Sequence, residues 1–211
     1  MMKRLLTMLS LAVILQVPTL VNAGEFSHVE RVIAAGLMTK DTTGNFNPDR
    51  ILSRAELASL LVNTFELDKR QAVRETDDFA LKDVPSSHWG YRNIQIVLKT
   101  GVMNGYRDGM FFPNQRVSRA EGLAILAQAY GVFQFPQNSI NEILAKHPDA
   151  GQIPPWARKS IATALYEGFV NLHPNNQIKP LDPMTRGDMA YALSQYLERQ
   201  EGNPAPIPWA E

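Results

Sequence analysis

A chain of 211 residues, 45% of them apolar, has room for one medium domain or a few small repeats around a buried core. Lysine plus arginine and aspartate plus glutamate number 21 each. The resulting zero net charge argues against nucleic-acid binding through bulk electrostatics and leaves a local carboxylate or sugar site open. The absence of cysteine excludes disulfides and lipoprotein acylation, so an exported form relies on packing alone.

Residues 1–23 read as a signal peptide. Lys3 and Arg4 open it, an apolar run from Leu5 to Val17 follows, and Val21-Asn22-Ala23 is a small-residue cleavage pattern. That run, interrupted by Thr7, Ser10 and Gln16, falls short of the ~20 residues needed to span a bilayer. The expected mature chain starts near Gly24 with no membrane span after cleavage, exported to a periplasm, cell envelope or cell surface.

Three units of one pattern follow, over 24–66, 81–131 and 147–200. The offset that carries Arg54 to Arg119 also carries Gly36 to Gly101, Gly44 to Gly109, Phe46 to Phe111, Pro48 to Pro113 and Glu56 to Glu121. The offset from Arg119 to Arg186 carries Trp89 to Trp156, Gly101 to Gly168, Pro113 to Pro180 and Ser118 to Thr185. Each unit predicts helix, tight loop, helix. In the second, Ile94, Val97 and Leu98 form one helical face, Gly101 ends that helix, Asp108-Gly109 marks a turn, and Leu123, Leu126, Ala127 and Tyr130 form the second face. Units this small cannot bury such faces alone, which predicts an all-α fold of three repeats packed together with pseudo-threefold symmetry.

The connections are a charge-rich linker over 67–80, read as solvated, and a longer one over 132–146 in which 139–146 suits a short helix with Ile140, Ile143 and Leu144 on one face. The tail, 201–211, is proline-rich. Its Ile207-Pro208-Trp209-Ala210 resembles the lead-in to the third unit, Ile153-Pro154-Pro155-Trp156-Ala157. Unit 1 has Gly24 where the others have tryptophan, so Trp209 is expected to fold back and fill that place.

The tetrads Ser53-Arg54-Ala55-Glu56, Ser118-Arg119-Ala120-Glu121 and Thr185-Arg186-Gly187-Asp188 have the capping-box pattern, with hydroxyl first and acid fourth. Capping explains Ser53, Glu56, Ser118, Glu121, Thr185 and Asp188. It leaves the arginines unexplained, because a cation in the first turn opposes the helix dipole. Two readings stay open on chemistry alone. Each arginine joins the helix N-terminal N–H groups to grip a carboxylate or phosphate, or it pairs with an acid of a neighbouring repeat such as Asp83 or Asp149.

Acid, tryptophan, helix, glycine, D-G-x-F-x-P loop, S/T-R-A-E and helix, three times over, resemble S-layer homology domains across nearly all of the mature chain. The resemblance implies a non-catalytic wall anchor that binds polysaccharide attached to peptidoglycan, acidic or pyruvylated. It implies glycan contacts from Arg119, Trp89, Gly105, Gly109 and Asp83, from Arg54 and Gly44, and from Arg186 and Trp156. Unit 3 departs from the pattern with Leu172 for Gly105, Asn175-Asn176 for Asp108-Gly109 and Ile178 for Phe111. From the residues themselves, Trp89 and Trp156 are expected mostly in the core.

Rival readings are a periplasmic protein-binding scaffold with structural arginines, binding a protein partner or a second copy, and a glycosidase using Asp83 with Glu121. His28, His88, His147 and His173 share no ligand spacing, so neither metal nor cofactor is expected. His88 is expected to line a groove or cap a helix.

Overall fold

The computed structural model describes residues 23–202. The signal-peptide residues 1–22 and the tail 203–211, with the expected placing of Trp209, lie outside the described residues.

Among the described residues, eight α-helices carry the fold: α1 Ala23–Ala34, α2 Arg54–Phe65, α3 Gln71–Glu75, α4 Tyr91–Lys99, α5 Arg119–Tyr130, α6 Gln137–Ala145, α7 Arg158–Tyr166 and α8 Arg186–Gln200. Among the described residues the only β pairing is in isolated bridges. The protein is all-α, with three helix-loop-helix repeats. Left-handed glycines punctuate them at the ends of the first helices, Gly36, Gly101 and Gly168, where an L side chain would be strained.

The repeats interlock rather than fold one by one. Each first helix packs on the second helix of the preceding unit: α4 on α2, α7 on α5, and α1 back on α8. Val32, Ile94 and Ile161 on the first helices and Leu61, Leu126 and Leu193 on the second are all fully buried. The seam between α1 and α8, which closes the ring, also carries a His28 Nδ1 to Ser194 Oγ hydrogen bond of 2.6 Å and an Arg31–Glu201 pair at 3.0 Å.

At the centre the residues just before the tetrads hold one another. Leu52 N–H donates to Met184 O at 3.0 Å, Met184 N–H to Val117 O at 2.8 Å, and Val117 N–H to Leu52 O at 3.2 Å. These hydrogen bonds form a closed cycle of three around a pseudo-threefold axis. Their side chains are buried there, and Gly122 leaves the space that Met184 fills, since a β-carbon at 122 would lie 1.9 Å from its sulfur.

The linkers hold more structure than their charge suggests. Glu66 takes a left-handed conformation that ends α2, so the helix does not run on. Leu67 is then fully buried, α3 follows, and Arg70 Nη2 donates to Ala129 O at 2.8 Å. Most of 68–80 is exposed, as a solvated linker would be; Leu67 is the exception, packed into the apolar core, and Arg70 satisfies an otherwise open carbonyl at the negative end of α5. In the second connection, α6 buries Ile140, Ile143 and Leu144 against α7.

Candidate functional site

The tetrads form three capping boxes. Glu56 N–H donates to Ser53 Oγ while the Glu56 carboxylate accepts from Ser53 N–H at 3.0 Å, and the same exchange joins Ser118 with Glu121 and Thr185 with Asp188. The next two amides of each helix donate to the loop of the following unit. Arg54 N–H goes to Gln115 O and Ala55 N–H to Pro113 O; Arg119 N–H to Asp182 O and Ala120 N–H to Pro180 O; Arg186 N–H to Arg50 O and Gly187 N–H to Pro48 O. All four donors that a helix start leaves open are therefore used. None of these three helix N-termini has N–H groups left for an anion, which corrects that part of the carboxylate-gripping expectation.

The arginines follow the same rule. Arg54 Nε donates to Phe111 O at 2.9 Å and its Nη2 to Asn104 O at 2.8 Å. Arg119 reaches Ile178 O at 2.8 Å and Asn171 O at 2.7 Å, and Arg186 reaches Phe46 O at 2.9 Å and Thr39 O at 2.6 Å. Each guanidinium clamps the two ends of the next unit's loop, and the third clamp returns to the first unit. Arg119, 1% exposed, also pairs with Asp188 Oδ1 at 2.5 Å. Burial pushes the Arg54 and Arg186 guanidinium groups below their usual pKa, with nearby carboxylates opposing the shift. The cost of a cation in the first helical turn is thus offset by charge-assisted bonds to carbonyls.

Asp83 and Asp149, the expected acidic partners, serve the loops instead. Asp83 accepts from Phe111 N–H at 2.9 Å and Phe112 N–H at 2.6 Å, and Asp149 from Ile178 N–H at 3.0 Å and Lys179 N–H at 2.7 Å. With Asp83 bound to the loop and Glu121 to its helix cap, the pair named for sugar cleavage is committed to backbone amides. Gly109, left-handed at φ 73°, sits where a β-carbon would be 3.1 Å from Ala80 O, and one at Gly105 would be 3.2 Å from Met110 O. Gly44 is left-handed with open space around it. In unit 3, Asn175 and Asn176 keep the left-handed turn without glycine.

The tryptophans depart most from expectation. Trp89 is 64% and Trp156 62% exposed, so neither is a core residue. His88 stacks on Trp89 with ring centroids 5.5 Å apart, and its Nδ1 accepts from Gly90 N–H, which fixes the approach to α4. Trp89 lines a groove of about 540 Å³ between units 1 and 2, together with Arg50, Ser53, Glu56, Asn114 and Arg116.

Arg50 Nη2 pairs with Glu56 Oε1 at 2.5 Å. Burial works to raise the Glu56 carboxyl, yet the bonds from Arg50 and Ser53 hold it below its ordinary value. Arg116 is exposed, with no side-chain partner among the described residues. At the equivalent positions the other junctions carry Gln115 with Pro183, and Asp182 with Ile51. At these two equivalent positions, therefore, only the junction of units 1 and 2 carries a pair of cations. The motifs did not point to Arg50 and Arg116; the signal that could have found them is their departure from the repeat. Among the described residues no side-chain cluster could hold a metal and no helix is long and apolar enough to cross a membrane.

A closed ring of helix-loop-helix units with a solvent-facing groove at the junction of units 1 and 2 defines a three-repeat helical module. The chain belongs to the S-layer homology domain family, whose model matches residues 22–58, 80–121 and 148–190. Such domains anchor surface proteins to the cell wall. It is 29% identical over 179 residues to the Surface-layer 125 kDa protein of Lysinibacillus sphaericus, covering 83% of this chain and 14% of that one. It is 24% identical over 168 residues to the Cellulosome-anchoring protein of Acetivibrio thermocellus, covering 80% of this chain and 37% of that one. An Amylopullulanase of Thermoanaerobacterium thermosulfurigenes is 29% identical over 160 residues, with only 8% of its length covered. The chain thus spans a minor part of each of these relatives.

Proposed function

We propose that this protein is a non-catalytic anchor that holds to an acidic polysaccharide of the cell wall through the groove between units 1 and 2. The observation that carries the reading is the meeting of Arg116 and Arg50 with the exposed face of Trp89 in that groove. An exposed guanidinium offers a planar fork to a carboxylate, such as a uronate or a pyruvyl ketal, while the indole covers the apolar face of the sugar ring. Of the tetrad arginines, Arg54 locks the unit 2 loop that borders this groove, Arg186 and Arg119 lock the loops of units 1 and 3, and none of the three touches the ligand.

Co-sedimentation with purified cell wall tests the reading. The variant Arg50→Ala/Arg116→Ala should keep wild-type circular dichroism and lose most wall binding, and wild-type binding should weaken as salt screens the contact. Wall binding by the double variant equal to wild type overturns the assignment, and release of soluble sugar from the wall overturns the non-catalytic role.

A further inference from the structure

The loop of unit 2 carries two exposed aromatic rings that the fold does not need. Tyr106 and Phe112 are 41% and 40% exposed and meet edge to face with ring centroids 5.1 Å apart. The same two positions face each other in the other units with polar side chains. In unit 1 they are Asp41 and Asn47, joined by a hydrogen bond of 2.6 Å. In unit 3 they are His173 and Lys179, where burial and then the charges of Arg119 and Lys179 push the imidazole below its usual pKa. Two loops of the same shape thus do without aromatics at these places.

Phe112 is also a poor residue for its backbone. Positions 47, 112 and 179 are all left-handed, at φ 54°, 55° and 50°. Asparagine tolerates that region through its short polar side chain, whereas a bulky aromatic is strained in it. A half-exposed ring regains little of that cost by packing. The Phe112 N–H bond to Asp83 and the Tyr106 N–H bond to Met110 O, 2.7 Å, fix both backbones, so the rings are presented and not loose. Arg54 lies 4.8 Å from the Tyr106 centroid and 4.6 Å from that of Phe111, inside the loop, so the cation supports Tyr106 from behind.

We propose that Tyr106 and Phe112 form a second sugar-stacking subsite, which takes the apolar face of a neutral pyranose in the same wall polysaccharide that the cationic groove grips. This rests on the anchor reading. Continuity supports it: Asn114 and Arg116 of the groove lie two and four residues beyond Phe112 on the same loop, at most about 7 and 14 Å along an extended chain. A bound polymer would cross from the carboxylate-binding groove onto the aromatic pair, and the stacking would add affinity with little dependence on salt.

The test uses the protein's own purified wall, retaining its attached polysaccharide, and two variants. Phe112→Asn places the residue of unit 1 at an equivalent left-handed position, and Tyr106→Asn/Phe112→Asn replaces both rings with uncharged polar side chains, leaving the net charge as it is. Phe112→Asn should melt at or above the wild-type temperature, because strain is relieved, whereas the double variant also loses the Arg54 contact with the Tyr106 ring and should keep wild-type circular dichroism. The double variant should bind the wall about tenfold more weakly, equivalent to about 1.4 kcal/mol, with an unchanged salt dependence. Wild-type affinity in the double variant overturns the subsite while leaving the anchor intact, provided Arg50→Ala/Arg116→Ala has lost binding. A lower melting temperature in Phe112→Asn overturns the strain argument, since it would make the ring a packing residue. If wild-type protein does not bind the wall at all, both the anchor and this subsite fall.

Discussion

Removing the Arg119 side chain separates a clamp from a ligand contact. In the fold its guanidinium bonds Ile178 O at 2.8 Å and Asn171 O at 2.7 Å and pairs with Asp188 at 2.5 Å. Arg119→Ala leaves two carbonyls and one carboxylate without that partner in a place closed to water. Breaking one buried ion pair costs about 3–5 kcal/mol, a large part of the roughly 5–15 kcal/mol that holds a typical domain. For a fold of this size that is a fall of about 6–20 °C in melting temperature. Urea denaturation followed by circular dichroism should show the lower midpoint. Arg119→Ala/Asp188→Asn should recover part of the loss, because no carboxylate is left unpaired while an oxygen remains for the Thr185 cap. Arg119→Lys should be nearly as damaging as alanine, since one ammonium cannot span the two carbonyls in the planar geometry of the fork. A variant Arg119→Ala that stays within about 0.5 kcal/mol of wild type, the spread of ordinary surface substitutions, yet no longer binds the wall would refute the clamp and restore the ligand-gripping role.

Two further outcomes follow from the same geometry. Gly122→Ala would press a methyl group into Met184 at the pseudo-threefold axis, costing about 1–3 kcal/mol by overpacking. Combining it with Met184→Val, the residue present at the matching position 117, should return most of that loss in the same denaturation assay, and no relief would refute the packing account. Asp41 accepts hydrogen bonds from Thr43, Asn45 and Asn47, which hold its carboxyl down at about 2 against an ordinary 3.8. Because the folded value is depressed, its contribution is complete above the ordinary value and is lost as pH falls through the window toward 2. The urea midpoint of wild type should therefore drop more steeply across that window than that of Asp41→Asn, and parallel curves would contradict it.

Much of the fold was legible in one chain compared with itself. Helix starts are written in local chemistry: the tetrads predict capping boxes because a hydroxyl and an acid three residues apart can reach the two ends of one turn. Helix faces are legible for the same reason, since burial repeats with the helical period. The site was less legible. A capping box explains two residues of the tetrad and is silent about where the arginine points, because its acceptors are carbonyls 50 or more residues away, Asn104 and Phe111 for Arg54. The exposed tryptophans were misjudged because average burial of a residue type does not see the groove around a particular ring.

The amino-acid sequence by itself determined the number of units, their helix-loop-helix order and the family resemblance, all of which are local patterns repeated along the chain. The tertiary structure alone decided that the helices pair between units, that Arg54, Arg119 and Arg186 close the ring, and that Arg50, Arg116 and Trp89 share one groove. The physical reason is that these relations depend on which backbone carbonyls and side chains from distant segments come within hydrogen-bonding distance, and no spacing along a single unit encodes that.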